Sequence, residues 1–141
     1  MAGHVGIVAC SAEGAALCYR TIALEAQDRM GEHGHPRVTL DSIPMAEHMA
    51  LIRRNDWKGV GDLMLDSAGR VAAAGAAFAV CPDNTVHQSF PFFRDRSPIP
   101  FLHIAEVVAD EAQRRGFRKI AVLGTRYLMD SEVYPGALAP R

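Results

Sequence analysis

His4-Val5-Gly6-Ile7-Val8-Ala9-Cys10-Ser11 decides how the rest of the chain is read. It is a short, continuous apolar run containing Val and Ile, and it ends abruptly in a hydroxyl. That pattern predicts a buried strand passing into a polar loop. A strand covered on both faces reads as an unbroken apolar run, whereas a half-exposed one alternates. The period then changes. From Ala12 to Met30 the residues Leu17, Ile22 and Leu24 are apolar, while Arg20, Glu25, Gln27, Asp28 and Arg29 are polar. This is helical spacing, and Gly31-Glu32-His33-Gly34-His35-Pro36 breaks it.

The same strand-then-helix alternation repeats along the chain. Val38–Ile43 reads as a second strand, closed by Pro44. Ala46–Arg54 predicts a short helix and Trp57–Ala74 a longer one, with Val60, Leu63, Met64, Ser67, Ala68 and Val71 on one face. Gly75 is placed to end it. Phe78–Cys81 is a third strand, followed by Pro82-Asp83-Asn84-Thr85 and a helical turn. Ile99–Ile104, interrupted by Pro100, predicts a fourth strand; Ala105–Arg115 predicts a helix stopped by Gly116; Lys119–Leu123 predicts a fifth strand. Together these predict an α/β fold: a three-layer sandwich around a parallel, flavodoxin-like sheet of four to five strands. Residues 1–126 form one lobe, and residues 127–141 form a tail that looks poorly tied down.

Composition narrows the function. A chain of 141 residues with 49% hydrophobic and 22% charged residues fits one globular domain. Fifteen Lys+Arg against sixteen Asp+Glu leave a net charge of −1, so no basic excess is available to neutralise phosphates and no nucleic-acid partner is expected. The longest apolar stretch, Val71–Val80, is broken by Gly75 and falls short of a bilayer span, so no membrane association is expected. Three cysteines, Cys10, Cys18 and Cys81, make a poor disulfide framework and read as reduced thiols in a cytoplasmic protein. His33 and His35 beside Glu32 read as a solvated loop, and no metal site is expected. No G-x-G-x-x-G, G-K-[ST] or G-x-S-x-G motif is present.

Ligands of open parallel sheets bind at the carboxyl ends of the strands. The candidates are therefore Cys10-Ser11, Pro44-Met45, Pro82 to His87, His103 and Gly124-Thr125-Arg126. Ser11, Asn84, Thr85 and Thr125 supply hydroxyls and an amide with few fixed cations, which suits a small carboxylate near helix N-termini. Each such residue read alone is equally a helix cap.

Asn84-Thr85-Val86-His87 after the third strand, Gly6 to Ser11 at the first, Leu123-Gly124-Thr125-Arg126-Tyr127, and Ser131-Glu132-Val133-Tyr134 occur in the order and spacing of one family. The sequence resembles the aspartate/glutamate racemase superfamily, its N-terminal lobe only. The resemblance implies racemisation of an acidic amino acid without a cofactor, or a related reaction on a similar carboxylate. Inversion at carbon needs proton donors on opposite faces, because reprotonation from the same face restores the starting enantiomer. With no cofactor to absorb charge, hydrogen bonds must stabilise the enediolate, a role the family pattern gives to Ser11, Asn84, Thr85 and Thr125.

Two departures accompany the resemblance. The residue before Asn-Thr, typically the catalytic cysteine, is Asp83, which becomes the candidate acid/base; Cys81 lies two residues earlier. The second lobe's motif is missing, and the sequence reaches Ala139-Pro140-Arg141 where the crossover to that lobe would begin, so a truncated racemase of doubtful activity alone is expected. A lone lobe exposes apolar surface, which predicts a homodimer or higher oligomer. The alternatives are a non-catalytic small-carboxylate-binding module, or a decarboxylase or cis–trans isomerase of the same superfamily. Arg126 either clamps a second carboxylate or lies on the surface, and His87 and His103 read as helix and core residues.

Overall fold

The computed structural model describes residues 3–139. Strand β1 (His4–Ala9) pairs in parallel with β2 (Arg37–Ser42) on one side and β3 (Phe78–Val80) on the other. The edge strand β4 (Phe101–Leu102) pairs with β3, giving one parallel sheet in the order β2-β1-β3-β4. As the unbroken apolar run predicts, Val5 to Ala9 are all buried. Ile7 and Ala9 pack with Ala15, Cys18 and Ile22 of helix α1 (Ala12–Glu25). Val8 and Cys10 face the opposite way, into a core with Val60, Met64, Ala68 and Val71. Those four come from α4 (Trp57–Ala73). Alternate residues of one strand thus serve two helical layers, the three-layer α/β sandwich.

Local chemistry fixes the helix ends. Ser11 caps α1, its hydroxyl accepting the Gly14 N–H at 3.2 Å, and Asp56 caps α4 through the Gly59 N–H at 2.9 Å. Gly75 leaves α4 at φ +96°, a conformation that excludes most side chains. Gly6 is required by proximity: a Cβ there would stand 2.6 Å from Cγ2 of Val71. Between β2 and α4 lies the short helix α3 (Met45–Ile52).

The structure departs from the sequence expectations in four places. The first helix is divided at Ala26, with a separate turn α2 (Gln27–Met30). The fourth strand shrinks to two residues, since Pro100 has no N–H to give the ladder and serves only as an acceptor for the Ala79 N–H. Lys119–Leu123 is not a strand: β4 offers a two-residue edge, and Leu123 is 88% exposed, with no apolar layer to bury it.

The tail is also better tied down than expected. After the turn Thr85–Ser89 and a short helix α5 (Phe90–Phe93), the chain continues through α6 (Ile104–Arg114), α7 (Arg126–Met129) and α8 (Val133–Leu138). Leu128, Val133 and Ala137 of the tail pack on Ala105 and Ala109 of α6, whose small side chains let the tail helices approach closely. Pro135 sits in the first turn of α8, where its missing N–H leaves no bond unmade. Residues 140 and 141 of the expected tail lie outside the described residues. Among the described residues no helix is long and apolar enough to cross a membrane.

Candidate functional site

The parallel sheet brings the carboxyl ends of β1 and β3 side by side, and the polar loops follow them. Ser11, Asp83, Asn84, Thr85 and Thr125 all line one cavity of about 430 Å³. That volume suits a small molecule. A second cavity of about 850 Å³ contains His87, Arg94, His103 and Glu106 but none of those five residues. The smaller cavity therefore holds the convergent polar groups.

Asp83 spans the gap between the two strand ends. Its Oδ2 accepts the N–H groups of Cys10 and Ser11 at 3.2 and 3.1 Å, and its Oδ1 accepts the Ser11 hydroxyl. Both carboxylate oxygens are therefore engaged by the β1–α1 turn. The Ser11 proton is committed to Asp83, so Ser11 is a member of this latch before it is a ligand donor.

Three side chains keep donors for the cavity. Asn84 accepts the Tyr134 O–H on its Oδ1 at 2.7 Å, which leaves its amide N–H groups unclaimed by that bond. Burial raises the Tyr134 phenol above its ordinary value, so the proton stays in place at neutral pH. The Thr85 and Thr125 hydroxyls lie 3.3 Å apart, and one donation between them leaves the other proton for a ligand. Thr125 also caps α7 at the Leu128 N–H, at 3.4 Å, so the cap reading and the site reading hold together there. Gln88 ties the two loops by donating to the Tyr127 carbonyl at 2.9 Å.

The histidines behind the motif are structural. His87 is buried, its Nδ1 donating to the Asp83 carbonyl at 2.9 Å. Burial, reinforced by His103, lowers its pKa to about 4, so it is neutral at pH 7. His103 caps α6, its Nδ1 accepting the Glu106 N–H at 3.4 Å. Arg126 borders the cavity with its guanidinium 5.9 Å from the Tyr127 ring centre.

Cys10 stands beside Ser11 among the strand-end candidates, and His48 has no role assigned from sequence. Cys10 lines the cavity, and His48 of α3 is buried beside it. The Cys10 sulfur, the Cys81 sulfur and a carboxylate oxygen of Asp83 lie within 4.8 Å of one another. A hydrogen bond from Cys81 holds the Cys10 thiol down to about 6 against the upward push of burial, and His48 adds to the effect. Cys81 moves the opposite way, raised chiefly by burial. Burial pulls His48 down, but its contacts with Cys10, helped by the Pro44 carbonyl and the Asp83 charge, outweigh that and its net shift is upward. The available signal was the alternation along β1, which puts Cys10 on the α3–α4 side with Val8.

Solved structures of other proteins resemble this chain over nearly its whole length. A candidate Asp/Glu racemase from Yersinia pestis is 29% identical, with a TM-score of 0.89 over 97% of this chain and 60% of that one. An aspartate racemase homologue from Pyrococcus horikoshii OT3 shares the fold at 24% identity and a TM-score of 0.86, covering 99% of this chain and 61% of that one. An aspartate racemase from Picrophilus torridus shares it at 18% identity and a TM-score of 0.77, covering 98% and 59%. The chain thus spans about 60% of the length of these proteins. The Asp/Glu/Hydantoin racemase family model matches residues 7–140, which takes in both strand ends and every residue around the cavity, and the chain belongs to that family.

Proposed function

We propose that this chain acts as one lobe of a cofactor-independent amino-acid racemase, binding the substrate's α-carboxylate in the cavity at the ends of β1 and β3. The observation that carries this reading is the convergence of Asn84, Thr85 and Thr125 on one cavity beside the Asp83–Ser11 latch. Donors fixed before the ligand arrives stabilise the enediolate that forms when the α-proton leaves. Asp83, the acid/base candidate in the sequence, has both oxygens engaged, and in this reading it sets the loop on which the donors stand. Inversion calls for a second proton donor on the opposite face, contributed by a further lobe or a second copy. The exposed Leu123 and Met45 at the cavity rim are the surface such a partner would cover.

The test is α-proton exchange in D₂O with L- and D-aspartate and glutamate, followed by NMR, beside binding measured by calorimetry. Binding with slow exchange at the α-carbon is the expected result. Binding without exchange favours the non-catalytic module, a reading supported by the fact that all the donors stand on one lobe. Turnover of malonate-like or maleate-like acids with no exchange on amino acids would move the assignment to the decarboxylase or cis–trans isomerase branch. Absence of binding to any of these acids would remove the proposal.

A further inference from the structure

We infer that Cys10 is the reactive thiolate of this lobe, set at the floor of the cavity with His48 as its proton partner and placed to take the α-proton. The inference deepens the carboxylate-binding reading and rests on it for the identity of the proton.

Three observations lead here. Cys10 lines the same cavity as Asn84, Thr85 and Thr125, although it is only 4% exposed. Cys81, by contrast, does not line it, and Cys18 lies on the other face of the sheet in the Ile7 cluster. His48 is 1% exposed, and its Nδ1 has no hydrogen-bond partner among the described residues. A buried imidazole next to a thiol is the pairing that activates cysteine nucleophiles and bases. Finally, both Asp83 oxygens are taken up by the β1–α1 turn, whereas the Cys10 sulfur meets only side chains that favour its ionised form, Cys81 and His48, besides Asp83.

The groups facing Cys10 are His48 from α3, Cys81 from the end of β3 and Asp83 from the loop after it. Cys81 and His48 favour the thiolate, and the Asp83 charge opposes it. The net result is a thiol lowered to about 6, ionised at neutral pH. The step balances without a co-reactant. The sulfur takes the α-proton, an S–H bond forms as the C–H bond breaks, and the electron pair passes into the carboxylate. Asn84, Thr85 and Thr125 hold the oxygens that receive that charge.

Alkylation with iodoacetate and iodoacetamide, mapped by mass spectrometry, tests this on the intact chain. In each case the thiolate displaces iodide from carbon. Cys10 should react ahead of Cys18, which burial makes less acidic. Its rate should level off by about pH 7, whereas an ordinary thiol, with a pKa of about 8.5, still gains more than tenfold between about pH 7 and 9. Iodoacetate, itself a small carboxylate, should outpace iodoacetamide at Cys10, the reverse of the order for free thiols. His48→Gln should move the levelling-off to higher pH. The thiolate's ultraviolet absorbance, lost in Cys10→Ser, reports ionisation even where reagent access is slow. A levelled-off Cys10 rate with no preference for iodoacetate supports the thiolate and counts against the carboxylate reading. Ultraviolet titration of Cys10 in the ordinary thiol range overturns the inference, whatever calorimetry shows of carboxylate binding.

Discussion

Asp83 grips Ser11 from 72 positions away in the chain, accepting both its backbone N–H at 3.1 Å and its hydroxyl. This contact joins the end of β3 to the start of α1 and gives the cavity one wall. Replacing Asp83 should therefore cost stability as well as any activity. Hydrogen bonds to a charged group contribute about 1.5–3 kcal/mol, so Asp83→Asn should lower unfolding free energy by about 2 kcal/mol in urea titration. A variant that keeps wild-type stability would show that the latch is dispensable.

Tyr134 reaches the site through its hydrogen bond to Asn84. Tyr134→Phe removes the 2.7 Å bond that fixes the amide and leaves the packing of the ring in place. A net hydrogen bond is worth about 1 kcal/mol, so carboxylate binding should weaken about fivefold. Calorimetry gives the affinity, and a melting curve close to wild type separates this effect from unfolding.

Acid should destabilise the protein through His87. Its folded pKa, about 4, lies below the ordinary value of 6.5. The neutral ring is thus favoured by folding, and this contribution is whole above pH 6.5 and lost as pH falls toward about 4. The difference corresponds to about 3 kcal/mol. Physically, protonation would place a charge beside Phe90, whose ring centre is 5.7 Å away, and His103, 4.8 Å away. Urea unfolding at stepped pH should show a shallower acid slope in His87→Gln than in wild type. Cys10 titrates in both proteins, so the difference between them isolates the imidazole.

Gly6→Ala should destabilise without touching the cavity. The added methyl meets Val71 Cγ2 at 2.6 Å and the Ala76 Cβ at 3.2 Å, between a central strand and its covering helix. Overpacking of this kind costs about 1–3 kcal/mol. Denaturant unfolding checks the cost, and unchanged carboxylate affinity of the folded fraction checks its confinement to the core.

The central strands and long helices were legible because their signals are local. The apolar run at β1, the period of α4 and the stop at Gly75 all act within a few residues. Lys119–Leu123 has the composition of a strand, yet a strand also needs a paired edge and a covering layer, and composition says nothing of either. The tail was misjudged for the converse reason. Pro135 is harmless in the first turn of α8, and the docking surface for that helix is the alanine face of a helix some thirty residues earlier. In the site, Ser11, Asn84 and Thr85 could be named from their positions after strands, whereas Thr125 was named after a segment that forms none. The engagement of Asp83 by Ser11 and the approach of His48 to Cys10 depend on long-range packing, which no motif records.

The tight seam between Gly6 and Val71 runs through the middle of β1, while the cavity is built from what comes after the strand ends. Outside the Asp83–Ser11 latch, the exposed rim of the cavity is thereby separable from the packing that makes the chain fold. Exchanging an exposed rim residue such as Met45 on α3 gives a protein engineer a way to retune what is recognised while the framework beneath is inherited intact.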